Sequence, residues 1–103
     1  MVHFLKTEPK YFLDIKEGYK TFEIRFNDRD FQENDILNLR EFADENFTGN
    51  FIEVKAISVI KNYPGLRENY VLMYVEKITR KEASEYYSNE ELLKYLEERS
   101  HFI

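Results

Sequence analysis

Hydrophobic and polar residues alternate most regularly over residues 19–26, which predicts a β-strand whose successive side chains point to opposite faces. One face would carry Lys20, Phe22, Ile24 and Phe26, and the other Tyr19, Thr21, Glu23 and Arg25. The first face is apolar after its first position. We therefore expect Phe22 and Ile24 to be buried and Lys20 to lie where the core meets solvent.

Similar patterns predict four further strands and one early helix. The strands are expected over 2–6, 36–42, 51–61 and 70–78, with a loop and a tight turn over 43–50. The helix is expected to begin at Pro9, which suits a first helical turn, and to end at Gly18, which suits a left-handed C-terminal cap. A change of phase near Ile57 predicts a bulge, and Asn34 is expected in the left-handed region.

The C-terminal quarter has helical signals. Thr79 with Glu82, and Ser88 with Glu91, match the capping-box pattern, and Leu92 and Leu96 form an apolar stripe. We expect residues 79–103 to form a helical extension, packed on the same domain or against a second copy in a homodimer. The predicted fold class is α+β, mainly β: a small closed or nearly closed barrel over residues 1–78, with an open α+β sandwich as the alternative.

The composition of the chain excludes several classes of function and several kinds of site. The 103 residues are 43% apolar and 17% aromatic, enough for one core, and the net charge of −5 argues against sequence-independent binding to long nucleic acid. With no cysteine, two histidines and no apolar run of about 18 residues, neither a metal site, a cofactor, a disulfide nor membrane insertion is expected. These features favour a cytoplasmic protein.

Candidate chemistry gathers around Lys20. A lysine at the rim of an apolar pocket suits a general base or a nucleophile, and a nearby carboxylate such as Glu23 can relay protons. Arg25 and Arg29 could form bidentate hydrogen bonds with a phosphate, while Tyr19 or Tyr70 could stack on a base. A surface ion pair and a half-buried tyrosine are the simpler alternatives.

Several motifs together resemble an uncharacterised ASCH-like family of the PUA-like superfamily, common in bacteria of the Firmicutes and their phages. The resemblance covers roughly residues 3–78 and rests on 3–7, 18–25, 27–31, 34–37, 47–49 and 65–73. It implies a PUA-like β-barrel with a cleft between the first helix and the strand after the G-x-K-T motif, Gly18 to Thr21. It also implies a role with RNA or modified bases.

One branch of ASCH proteins deacetylates N4-acetylcytidine. The resemblance maps its lysine onto Lys20, its threonine onto the position of Glu23 and its glutamate onto Glu68. Three functions therefore stand: an RNA- or modified-nucleotide-binding module, a small amidohydrolase that uses Lys20, Glu23 and Glu68, and a protein-interaction domain with an acidic surface. The predicted ligand-binding residues are Lys6, Thr7, Lys20, Thr21, Glu23, Arg25, Asn27, Arg29 and Tyr70.

Overall fold

A computed structural model describes residues 1–87. Seven elements follow one another along this part of the chain. They are β1 (Val2–Thr7), α1 (Pro9–Lys16), β2 (Phe22–Phe26), β3 (Ile36–Ala43), β4 (Asn46–Lys61), β5 (Tyr70–Lys77) and α2 (Arg80–Ser84).

The five strands form one sheet in the order β1-β3-β4-β5-β2. β1 runs parallel to β3, and the other three neighbouring pairs are antiparallel. The sheet curls into a half-barrel, so that its edge strands β1 and β2 approach each other and share hydrogen bonds from Arg25 to Lys6 and Thr7. The predicted mainly β, barrel-like architecture is confirmed at this level.

The hydrophobic core lies on one face of the sheet. Leu37, Leu39, Val54 and Met73 are fully buried there, and Ile15 of α1 packs onto them. Phe31, in the connection between β2 and β3, is also buried. The short connection between α1 and β2 is mostly exposed.

The predicted faces of β2 were wrong. Glu23 is buried, whereas Phe22 and Ile24 are exposed, Ile24 by 47%. Directly opposite residues of an antiparallel pair share a face, and Glu23 lies opposite Met73, which is fully buried. The core face of β5 therefore decides which face of β2 turns inward. The strand is also shorter than predicted, since it begins at Phe22.

The predicted loop and turn over 43–50 were also wrong, because β3 and β4 form a hairpin that turns at Asp44 and Glu45. Both residues have positive φ, at 51° and 66°, as a two-residue type I′ turn requires. The predicted bulge is confirmed by a shift of register between Ala56 and Ser58. Asn34 is left-handed as predicted, with φ of 72°.

The described part of the C-terminal extension packs on the sheet. The Thr79 side chain accepts a hydrogen bond from the backbone of Glu82, as the first capping box predicts, and Ala83 of α2 is buried. The second capping box, Leu92, Leu96 and the predicted homodimer contact lie outside the described residues. Within residues 1–87, no helix has the length and apolar character needed to cross a membrane.

Candidate functional site

Arg25 of β2 joins the two edges of the sheet. Its Nη1 donates to the carbonyl oxygen of Lys6 at 2.9 Å, and its Nη2 donates to Oγ1 of Thr7 at 3.1 Å. Its Nε donates to Oε2 of Glu23 at 3.0 Å. One guanidinium therefore spans the gap between β1 and β2 and also orients a carboxylate.

Glu23 is a buried carboxylate with one oxygen committed and one not. The residue is 3% exposed, and Oε2 accepts the Arg25 hydrogen bond. Among residues 1–87, no donor makes a hydrogen bond to Oε1, and Nζ of Lys20 lies 3.6 Å from it. Burying a charge is costly unless it is compensated, so Arg25 and Lys20 together stabilise Glu23 inside the fold.

Lys20 is held by the turn that follows α1. Gly18 has φ of 83°, which favours glycine, and the backbone N–H groups of Tyr19 and Lys20 both donate to the carbonyl of Asp14. The Lys20 ammonium lies 4.7 Å from the ring centroid of Tyr11 and 5.4 Å from that of Phe22. Such distances allow cation–π attraction, which helps to hold a side chain that is only 16% exposed.

These groups line a cleft between α1 and β2 with a volume of about 660 Å³, here called the Lys20 cleft. Its lining residues are Lys6, Thr7, Glu8, Lys10, Tyr11, Asp14, Tyr19, Lys20, Phe22, Glu23, Ile24 and Arg25. Four of them are Lys or Arg and three are Asp or Glu, so the lining is nearly balanced in charge. The volume is in the range of small-molecule sites.

A second cleft, of about 610 Å³, shares Lys6 and Arg25 with the first. Apolar rings contribute more of its lining, including Phe26, Phe31 and Phe47. Arg29 lies here, beside the carboxylate of Asp28 at 3.9 Å. The Arg25 guanidinium lies at the seam where the sheet edges meet. The Lys6 ammonium lies over the rings of Phe42 and Phe47, 4.5 and 5.9 Å from their centroids.

The structure brings five of the predicted ligand-binding residues together in the Lys20 cleft, namely Lys6, Thr7, Lys20, Glu23 and Arg25. Tyr19, a candidate for stacking on a base, also lines this cleft. Sequence reasoning missed other lining residues, including Tyr11 and Asp14. Tyr11 of α1 is exposed, and its ring faces the Lys20 ammonium. The core side of α1 is formed by Phe12 and Ile15, which are both buried.

The remaining predicted ligand residues lie elsewhere. Thr21 is exposed and its carbonyl accepts from the backbone of Val75, while Asn27 accepts a hydrogen bond from the backbone of Phe31. The Tyr70 ring packs against Phe26, with the ring centroids 5.6 Å apart. These residues stabilise the turns and strand ends around β2.

Glu68 is not brought to Lys20. It is exposed in the connection between β4 and β5, next to Asn69, whose carbonyl accepts from the backbone of Asn27. Asn27 follows the C-terminal end of β2 and Lys20 precedes its N-terminal end. The two ends of a five-residue strand are about 13 Å apart. The predicted catalytic set of Lys20, Glu23 and Glu68 is therefore not assembled in this structure.

Two further clusters of polar side chains lie away from the cleft, and their members form hydrogen bonds within each cluster. Asp35 accepts hydrogen bonds from the N-terminal ammonium, from His3 and from the backbone of Gln32. Burial alone would raise the pKa of Asp35, but these hydrogen bonds outweigh burial and lower that pKa below 3.8. Within residues 1–87, no group of three His, Asp or Glu side chains is arranged to hold a metal ion.

The second cluster connects the C-terminal extension to the sheet. The Tyr87 hydroxyl donates to Oε2 of the buried Glu53 and accepts from Asn38 at 3.1 Å. Arg80 pairs with the other oxygen of Glu53. Burial, together with the bond to Glu53, raises the pKa of Tyr87, so its hydroxyl stays protonated and acts as the donor.

The fold and the cleft define a class: a small, mainly β domain with a curled five-stranded sheet and a polar, aromatic cleft beside its first helix. The chain belongs to the family described as a domain of unknown function, DUF3850, whose model matches residues 2–75. It is also similar to the "Uncharacterized 12.9 kDa protein in GpA 3'region" of Escherichia phage P2, with 34% identity over 73 residues. The match covers 71% of this chain and 66% of the phage protein. The matched family region contains β1, α1, β2 and hence the whole lining of the Lys20 cleft.

Proposed function

We propose that this chain is an RNA- or modified-nucleotide-binding module of the ASCH/PUA-like type, and that a nucleotide or one unstacked RNA base enters the Lys20 cleft. The observation that carries the proposal is the position of the Lys20 ammonium. It lies 3.6 Å from the buried carboxylate of Glu23 and against the rings of Tyr11 and Phe22. Bases need both a stacking surface and polar groups at their edges, and this cleft offers both.

The shape and charge of the cleft support a single nucleotide as the ligand. Proteins that follow a long phosphate backbone use a continuous basic groove. Here the lining includes four Lys or Arg residues and three Asp or Glu residues, and the whole chain has a net charge of −5. The exposed rings of Tyr11 and Tyr19 supply apolar surface on which a base can stack.

The test measures affinity for the four nucleosides, their 5′-monophosphates and short RNAs by isothermal titration calorimetry. Wild type is compared with Lys20→Met, which keeps a similar length and loses the charge. Lys61→Met is the matched control, because Lys61 is an exposed lysine at the end of β4, outside the cleft lining. We expect Lys20→Met to weaken binding at least about tenfold, the scale of a charged hydrogen bond. Equal affinities of the two variants, or no binding by wild type at millimolar ligand, would contradict the proposal.

The proximity of Lys20 to Glu23 also favours a second candidate, a small amidohydrolase acting on an acylated nucleoside. A lysine and a carboxylate in one cleft are a pair that can divide nucleophilic and proton-transfer roles. The test incubates the protein with N4-acetylcytidine and follows the release of cytidine and acetate. Turnover that Lys20→Met abolishes and Lys61→Met retains would favour the enzyme. Intact substrate after prolonged incubation would exclude this reaction.

A further inference from the structure

Glu23 limits what can occupy the Lys20 cleft. Its Oε2 is engaged by Arg25, and Arg25 is in turn fixed by the Lys6 carbonyl and Thr7. Oε1 therefore has a set position on the cleft side of β2. Among the residues that the structure describes, none donates a hydrogen bond to it, although the residue is 97% buried. The Lys20 ammonium approaches Oε1 only as an ion pair at 3.6 Å, without a hydrogen bond. A buried carboxylate oxygen with no hydrogen bond is incompletely compensated, so a ligand that donates one to it gains affinity.

We infer that the group that reaches Glu23 is an N–H donor on the edge of a neutral base, and not a phosphate. This inference rests on the proposed function and specifies which part of the nucleotide enters. A phosphate at Lys20 would lie next to the Glu23 carboxylate, and like charges at such a distance repel each other. An N–H group instead satisfies Oε1, while an acceptor atom beside it on the base can receive a hydrogen bond from Lys20.

Lys20 must move for this contact to form. Its ammonium lies 3.6 Å from Oε1, which leaves no space for a third atom between them, and Oε1 has almost no exposed surface. The lysine side chain has four rotatable bonds, and no hydrogen bond from its ammonium to another residue of the described chain restrains it beyond the Glu23 pair and the ring contacts. A rotation of Lys20 toward the cleft mouth uncovers Oε1 and brings the ammonium onto the acceptor of the incoming base.

The experiment changes the ligand and leaves the protein intact, so folding cannot confuse the result. Each nucleoside that binds wild type is compared with a derivative methylated on the N–H-bearing nitrogen of its base. It is also compared with a derivative methylated on ring carbon. For uridine these are 3-methyluridine and 5-methyluridine; for cytidine they are N4,N4-dimethylcytidine and 5-methylcytidine. Ribose 5-phosphate and inorganic phosphate are measured as phosphate probes without a base.

We expect N-methylation to weaken binding at least about tenfold, because it removes the donor to a charged acceptor. C-methylation, and removal of the 5′-phosphate, should change affinity by less than about fivefold, the scale of an exposed contact. Equal losses from N- and C-methylation, or binding of ribose 5-phosphate as tight as that of the nucleotide, would overturn the inference and leave nucleotide binding intact. Failure of every nucleoside and nucleotide to bind would overturn the proposed function, and the inference with it.

Discussion

The guanidinium of Arg25 in β2 donates a hydrogen bond to the main-chain carbonyl of Lys6 in β1, at 2.9 Å. These strands are the two edges of the sheet, so this contact brings its first and last members together. The same guanidinium orients Glu23 in the Lys20 cleft. One side chain therefore bridges the two edges of the sheet and also orients the carboxylate of the cleft.

Arg25→Met should destabilise the fold. It removes the contacts to β1 and leaves the Glu23 carboxylate buried with Lys20 as its remaining cation. Breaking a buried ion pair from one side typically costs about 3–5 kcal/mol, and the partial exposure of Arg25 places the expected loss near the lower end. Urea denaturation of each variant measures its free energy of unfolding. Arg29→Met is the matched control, since its pair with Asp28 is exposed and should contribute less than about 1 kcal/mol. A similar small loss of stability for both variants would contradict the stabilising role of the Arg25 contacts between β1 and β2.

Replacing Phe31 or Phe22 by alanine should show which of these two rings belongs to the core. Phe31→Ala should lower the free energy of unfolding by about 3–5 kcal/mol, because Phe31 is buried in the core. Phe22→Ala should cost less than about 1.5 kcal/mol, since its ring is partly exposed on the outer face. Denaturant unfolding of both variants checks the order. A greater loss for Phe22→Ala would mean that β2 turns its apolar face inward after all.

Asp35→Asn should change the acid dependence of stability. The lowered pKa means that Asp35 stabilises the fold as an anion, above the unfolded value near 3.8, and that this contribution is lost as the pH falls through the lowered pKa. The variant should be about 1–3 kcal/mol less stable at pH 7, with the difference shrinking below about pH 4. Urea unfolding at several pH values tests this.

Asp28→Asn is the control for that series, because Asp28 is an exposed carboxylate with only a long contact to Arg29. It should change stability by less than about 0.5 kcal/mol at each pH. A pH-independent deficit for Asp35→Asn would indicate that shape and packing, and not the carboxylate charge, explain its effect.

Tyr87→Phe should loosen the attachment of the C-terminal extension. The substitution keeps the ring but removes the donor to Glu53 and the acceptor for Asn38, both of which are buried. Buried groups left without partners cost about 1–3 kcal/mol. Tyr86→Phe is a suitable control, because Tyr86 is exposed. Equal thermal unfolding midpoints for the two variants would contradict the role of the Tyr87 hydroxyl in attaching the C-terminal extension to the sheet.

The sequence predicts most elements of this fold because their signals are local. Pro9 and Gly18 bound the helix region through their own backbone preferences, and the phase change at Ile57 marks the bulge. The hairpin at Asp44 and Glu45 gives a weak signal because Glu45 stands where such a turn usually has glycine.

The faces of β2 could not be read from the strand itself. Alternation separates Glu23 and Arg25 from Phe22 and Ile24, but it does not say which pair turns inward. That is decided by the buried Val71 and Met73 opposite them and by the distant carbonyl of Lys6 that Arg25 reaches. The same long-range contacts assemble the cleft. The sequence therefore identified Lys20, Glu23 and Arg25 as candidate site residues but did not predict how they are arranged.

The most direct test of nucleotide binding is a titration of ¹⁵N-labelled protein with the best-binding nucleoside, followed by amide chemical shifts. We predict saturable shifts that cluster in the turn after α1 and at the start of β2, around Lys20 and Glu23, and that Lys20→Met suppresses. The exposed hairpin between β3 and β4 should remain unshifted. Saturable shifts that avoid the Lys20 cleft, or spectra unchanged at millimolar nucleoside, would contradict the account.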